Sequence, residues 1–499
     1  MRIIFIPVDE RFCTRDYFLL LAETFNIEVV TPPIEMLGRK KIPADIDAIW
    51  HWLETETKDD DLLIISLDMI LYGGLIPSRI SIDSIETIRK RLSKLKNIKQ
   101  PNNKIYLSAT VTRIPAYNYA DEEPDYWDYF GVKIYEYSKK IVQFKRGILS
   151  AEDLKKAKAT LPTWILKDFL WRRERNFNIL KLTIKLLSEN SIDFLNLVLD
   201  DNAPGSLSVF EAERHANYVK KLGVVDRISI HPGADESLLT LLARAMVEHV
   251  DYHPKIRIFY SQPEFVDLIP PYEGTPVKES VPVHLETCGA TVVPNNEDGL
   301  LIVHNPNDRR ESEQQVQANE SVYQRIVEVL TRREISGICD IAFANGADNK
   351  LVESILNPRF DWSKIIYAAW NTAGNTIGTV CSSLVLRILA EKGFITLDLD
   401  KLYELNAIFL LEHWGYQANV RKILRDVEAP KRGGDLFTVI PLEGWATKYV
   451  KEKLNPFKER IEKTFGRIYD YLDPFFPWHR PFEIGFLRNS EESANGGRK

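Results

Sequence analysis

The chain has 499 residues, enough for two or three domain-sized units, and its 44% hydrophobic and 27% charged residues are the mix of a folded protein rather than a disordered one. A formal charge of −6 built from both signs gives no electrostatic reason to expect nucleic acid as a partner, and no uncharged apolar run of about 20 residues offers a membrane span. The opening MRIIFIPVDERF holds a short apolar run before Asp9 and Glu10, too brief for a signal sequence, so a cytoplasmic protein is expected.

Along the chain, short β-branched apolar runs recur, each followed by polar, Gly and Pro residues and then a helical pattern. This is the signature of βα units and a mostly parallel sheet. The runs are RIIFIPVD from Arg2, IEVVTPP from Ile27, LLIISLDM from Leu62, KIYLSATVTR from Lys104 and FLNLVLDD from Phe194. They continue with RISIHPG from Arg227, IRIFYSQ from Ile256, LLIVHNP from Leu300, GICDIAFANGAD from Gly337 and IIYAAWNTAGN from Ile365. So many strands leave two α/β architectures open, barrel-like with extra strands or doubly wound in two halves. Between about residues 115 and 190 an acidic, aromatic stretch, YNYADEEPDYWDYF, and long helices read as an insertion over one face of the sheet. Residues 1–390 are expected to form an α/β catalytic domain, 391–488 a helical region, and 489–499, which has nothing apolar to bury, a disordered tail. No internal sequence repeat is evident. The cysteines, Cys13, Cys288, Cys339 and Cys381, form no CxxC pair, which points to buried free thiols rather than a zinc cluster or a disulfide framework.

In parallel α/β folds ligands sit beyond the carboxyl ends of the strands, where loops and helix N-termini gather. That rule selects Asp9, Glu10, Arg11, Asp68, Tyr72, Arg79, Arg113, Asp200, Asp201, Asn202, His231, Asp235, Glu236, Tyr260, His304, Asn305, Asn345, Asp348, Trp370, Asn371 and Asn375. Carboxylates, amides, arginines and aromatics on one edge suit a sugar: aromatic faces stack on pyranose rings, and amides and acids bind hydroxyl groups.

Three motifs are sharpest. LVLDDNAPGS ends a wholly apolar strand with two carboxylates and an amide; successive strand residues point to opposite faces, so Asp200 and Asp201 can share a task only if the strand has already turned. The lesser alternative is that Asp201 or Asn202 merely caps the next helix. In ISIHPGADESLLTLLAR a small-residue turn leads to Asp235-Glu236 at the start of an amphipathic helix, where acids also complement the dipole. In AAWNTAGNTIGTVCSSLVLRILA polar residues open an apolar helix whose N-terminus offers N–H groups to an oxygen-rich ligand, with tight packing through Gly374 and Gly378 the equal alternative. Neither a Walker pattern nor GxGxxG follows a strand, so no nucleotide cofactor is expected, and no metal.

PVDER, SLDMILYGGLIPSR, LDDNAPGS, HPGADE, PPYEGTP, FANGAD and WNTAGNTIGT together resemble domain-of-unknown-function family number 4127, over nearly the whole chain. That resemblance implies kinship and no activity. Locally, HPGADE is similar to the His-x-Gly-Gly-Asp-Glu motif of family 20 β-N-acetylhexosaminidases, with Pro232 and Ala234 as departures, and the Asp-Asp of LDDN resembles the paired aspartates of family 84. The implied activity is a glycoside hydrolase, substrate-assisted, with Glu236 as general acid and Asp235 as its partner, or with Asp200 and Asp201 as the pair. The expected partner is a small carbohydrate or glycoside, with a homo-oligomer left open. Two other readings stand beside it: a metal-dependent hydrolase or lyase using Asp9, Asp68, Asp200, His231 and His304, and a non-catalytic carbohydrate-binding protein.

Overall fold

The structure is a computed structural model that describes residues 2–307, 318–332, 334–435, 437–469 and 472–487. The expected tail, 489–499, lies outside the described residues. All ten strand runs read from the sequence form strands.

Two open parallel sheets carry the fold. The first joins β1 (Arg2–Ile6), β2 (Glu28–Val30), β3 (Leu62–Ser66), β4 (Lys104–Val111), β5 (Phe194–Leu199) and β6 (Ile228–Pro232) in the order β2-β1-β3-β4-β5-β6. The second joins β7 (Lys255–Tyr260), β8 (Thr291–Val292), β9 (Gly299–His304), β10 (Ser336–Asp340) and β11 (Ile365–Ala368) in the order β11-β10-β9-β7-β8. Every pairing within them is parallel. Each sheet has two edges, so the barrel is set aside for the doubly wound alternative. Strands such as Leu62–Ser66 and Phe194–Leu199 are buried throughout, which is why they read as continuous apolar runs rather than alternating ones.

Both sheets follow one winding plan: the second strand lies outside the first, and the third returns to its other side. The strand order therefore reverses between β1 and β3 and again between β7 and β9. Loops leaving such a pair diverge and open a crevice at the carboxyl edge.

The chain divides into two units. One comprises residues 1–10, 27–245 and 272–283, and the other residues 11–26, 246–271 and 284–499. In the first unit, the insertion forms helices Trp127–Lys145, Ala151–Lys158 and Thr163–Ser188, with an apolar cluster of its own around Trp127, Ile134, Ile165 and Phe169. Arg173, on the longest of these helices, donates to the Thr112 carbonyl at 3.1 Å and so ties the insertion to the end of β4.

In the second unit, helix Ala373–Glu391 is long and apolar enough to cross a membrane by composition, yet 94% of its most apolar 18-residue window is buried inside the protein. The close packing expected of Gly374 and Gly378 has a counterpart in the strands beneath: a Cβ on Gly337 would stand 2.6 Å from Val380 Cγ1, and one on Gly299 2.7 Å from Ile388 Cδ1. The region after 390 is helical as expected, with Leu399–Phe409 continuing into a π-helical stretch, Leu410–Val420. It ends in a small antiparallel hairpin of β12 (Asp473–Phe475) and β13 (Gly485–Leu487) that no pattern in the sequence announces.

Candidate active site

In the first unit the carboxyl edge of β3, β4 and β5 gathers two arginines and five acids. β5 ends at Leu199, and Asp201 takes φ +23°, a left-handed conformation rare for a side-chain-bearing residue. The strand has turned at that point, so the alternation of faces no longer separates the two aspartates. Asp200 accepts from Arg79 Nη2 at 2.5 Å, and Asp201 from Arg113 Nη1 at 2.7 Å. The insertion supplies the other side of the cluster. Glu123 accepts from Arg79 at 3.1 Å and from Arg113 at 3.0 Å, and Glu122 from the same two arginines at 3.3 and 2.9 Å.

Asp68 follows β3 at the strand-order reversal and is 4% exposed. Burial pushes its carboxyl up to about 7; the hydroxyls of Thr110 and Ser78 pull the other way, while the Asp200 charge adds to the rise. Its Oδ2 is buried with no hydrogen-bond partner among the described residues. Burial and the Asp200 charge also hold Asp201 above the usual carboxylate range, against the pull of Arg113 and Arg79. Glu123 is likewise raised by burial despite its two arginines.

The neighbouring loops have different tasks. Asn202 donates its backbone N–H to the Tyr272 carbonyl at 2.9 Å and its side-chain amide to the Leu199 carbonyl at 3.0 Å, clasping the PPYEGTP segment to the end of β5. Gly274 is needed there because a Cβ would fall 2.4 Å from Asn202 Oδ1. Glu236 turns back on its own loop, where its carboxylate accepts from the Ala234 N–H at 2.9 Å. It occupies the space a side chain on Gly233 would take, since a Cβ would lie 2.0 Å from Glu236 Oε1. His231 is buried with Nδ1 2.7 Å from the Pro232 carbonyl, and Asp235 is buried as well. Asp9 is buried beyond β1, and Tyr72 donates to Asn176 at 3.1 Å with Arg175 over its ring.

The other expected residues belong to the second unit. Arg11 pairs there with Glu483 at 3.5 Å and lies over the Trp478 ring. Trp370 is 1% exposed, between His413 and Phe482, so its faces are spent on packing rather than offered to a sugar ring. Asn345 and Asn371, both at positive φ, meet through an N–H to carbonyl bond of 2.7 Å, and Asn375 donates to Thr372 at 3.3 Å. Tyr260 ends β7 partly buried, its phenol pushed up to about 12 by burial.

Around the second reversal, His304 Nε2 lies 3.0 Å from Asp348 Oδ2 and its Nδ1 3.1 Å from Ser261 Oγ. Tyr323 donates to Asp348 at 2.8 Å, while Asp340 accepts from the Asp348 N–H at 2.7 Å and from Tyr367 at 2.8 Å. Burial works to raise Asp348, but the hydrogen bonds from His304 and the Tyr323 hydroxyl prevail and hold it low. Asp340, with burial as its main influence, rises to about 6.

Sequence reasoning missed Glu122, Glu123, Thr110 and Ser78 in the first cluster and Ser261, Tyr323, Asp340 and Tyr367 in the second. The acidic run YNYADEEPDYWDYF was visible as an insertion, and its charge was the signal that arginines awaited it. Ser261 stands one residue beyond Tyr260, at the end of a strand already identified.

Winding plan and edge clusters together define a doubly wound α/β protein with two parallel sheets, each carrying buried polar networks where its strand order reverses. Residues 3–486 match the family described as "Protein of unknown function (DUF4127)", and the chain belongs to that family. No curated protein and no solved structure matches it.

Proposed function

We propose that this protein is a hydrolase of glycosidic bonds whose chemistry is centred on the acid–arginine cluster of the first unit. One observation carries the reading. At the strand-order reversal Asp68 is a buried carboxyl raised to about 7, able to hold a proton near neutral pH, while Asp200 close by is ion-paired with Arg79. A carboxyl that holds its proton beside one ion-paired to an arginine is what acid-assisted cleavage of an acetal requires: one protonates the leaving oxygen, and the other stabilises or attacks the developing cation.

On this reading the proton donor is Asp68, and Asp200 and Asp201 are the carboxylates that face the reacting carbon. Glu236, the acid expected from the sequence motif, is less well supported, because that carboxylate is engaged by its own loop. Arg79 and Arg113 hold the aspartates in place, and Glu122 and Glu123 bring the insertion over the edge.

A panel of aryl glycosides, N-acetylhexosaminides included, tests the proposal. Wild type should release nitrophenol from at least one member, and Asp68→Asn and Asp201→Asn should each lower turnover by roughly a hundredfold or more. Folded, pure protein inactive across the panel, or variants that turn over like wild type, would defeat it.

A further inference from the structure

The second unit holds an arrangement that the glycosidase reading does not use. Ser261 directly follows β7 and His304 closes β9, and these are the two strands between which the order of the second sheet reverses. Asp348 caps the helix Asn349–Ile355 after β10. The three side chains form one line, Ser261 Oγ to His304 Nδ1 at 3.1 Å and His304 Nε2 to Asp348 Oδ2 at 3.0 Å.

The neighbours fix the direction of the protons. Asp348 Oδ2 also accepts from the Tyr323 hydroxyl, and the carboxylate's other oxygen accepts from the Lys350 N–H at 2.9 Å, as befits an ionised acceptor. The imidazole hydrogen facing Asp348 is therefore on Nε2. In the neutral imidazole Nδ1 is then the lone pair that faces Ser261, whose hydroxyl has two acceptors in reach, this nitrogen at 3.1 Å and Asn305 Oδ1 at 3.5 Å. A serine hydroxyl on an imidazole whose far nitrogen is oriented by a buried carboxylate is the arrangement that activates serine as a nucleophile, whatever the fold that carries it.

Its position fits the same role. In doubly wound sheets the reversal is where ligands enter; Ser261 itself is fully buried there, at 0% exposure, and the exposed Arg325 donates to its carbonyl at 2.9 Å. We propose that Ser261, His304 and Asp348 form a second reactive site, with Ser261 as the nucleophile of acyl transfer from carboxylic esters or amides. In the step, Ser261 Oγ bonds to the carbonyl carbon while its proton passes to His304 Nδ1. The bond to the leaving oxygen or nitrogen then breaks, and that atom takes the proton from His304. Water, deprotonated by the same nitrogen, hydrolyses the acyl-serine and restores the hydroxyl. Asp348 is a positioning residue that holds the tautomer and the ring.

The full chain treated with an alkyl fluorophosphonate, digested and mapped by mass spectrometry, tests this site without any variant. Attack of Ser261 on phosphorus expels fluoride and leaves a phosphonyl adduct on the peptide that carries Ser261. Labelling should be lost in Ser261→Ala and slowed roughly 10³-fold or more in Asp348→Asn, with the pH profile of the labelling rate displaced. Asp201→Asn, altered only in the first unit, should label like wild type, so the two sites fail or stand separately. No adduct on Ser261, or an Asp348→Asn rate and pH profile equal to wild type, would overturn the proposal.

Discussion

Arg79 and Asp200, 121 residues apart in the chain, share a 2.5 Å ion-paired hydrogen bond with both side chains buried. Burying two charges costs several kcal/mol of desolvation each, and the pair recovers that only while both partners are present. Removing one alone strands the other. Asp200→Ala and Arg79→Ala should each lower unfolding free energy by about 3–5 kcal/mol in urea titrations, whereas Arg79→Met with Asp200→Leu should cost less than the sum of the two. Additive losses would show that the pair does not act as a unit.

Asp68 gives stability a pH dependence of unusual sign. Its carboxyl titrates at about 7 in the folded chain and near the ordinary value of 3.8 when unfolded, so between those values the native state binds more protons. Stability from this group is complete below about pH 4 and is lost as pH rises towards 7. A tenfold difference in proton affinity is worth about 1.4 kcal/mol, so the whole effect is on the order of 4 kcal/mol. Asp68→Asn should flatten that slope and gain on wild type at pH 8, as measured by urea unfolding at pH 5 and pH 8. A parallel pH dependence in both proteins would refute it.

Gly233 combines φ +133° with a neighbour already in the place of its missing side chain. Gly233→Ala should therefore cost more than about 1 kcal/mol from backbone strain alone, with the clash against Glu236 added. Adding Glu236→Ala should relieve the clash and leave the strain, giving a non-zero coupling in a double-mutant cycle. Independent effects would mean that the carboxylate does not occupy that space.

All four cysteines are buried, and burial pushes the Cys381 thiol well above its ordinary range. A thiol without its thiolate and without access reacts slowly. Native protein at pH 8 should give almost no fast reaction with a disulfide reagent, and four equivalents after denaturation. Prompt titration of the native chain would contradict the packing.

The strands were legible because burial on both faces leaves an unbroken apolar run, and the candidate edge followed from the rule for parallel sheets. Two short features escaped. β8 has only two residues and no apolar run to announce it, and the β12–β13 hairpin lies in a stretch dense in Pro and aromatics. Side-chain commitments were less legible than backbone. Nothing in HPGADE says that Glu236 will fold onto Ala234, and nothing in the spacing of Arg79, Arg113, Glu122 and Asp200 says that they meet. Long-range pairing is fixed by strand order, and one sequence without its sheet topology does not supply that order. Trp370 misled for a related reason: an aromatic at a strand end looks like a platform until neighbours such as His413 and Phe482 are seen to cover it.

The division of the chain bears on how the molecule is made. Neither unit is a contiguous stretch, because residues 11–26 belong with the second and 272–283 with the first. During synthesis the helix Tyr17–Thr24 emerges early but must wait for Asp398, whose N–H donates to the Thr24 carbonyl at 2.9 Å, before it can be completed. The first sheet, likewise, has all its strands by residue 232 yet lacks the segment Asn202 clasps until Tyr272 has been translated. The first unit therefore has all its segments once residue 283 is made, the second only after its C-terminal helices follow, and no single cut of the gene yields two fragments that each hold one whole unit.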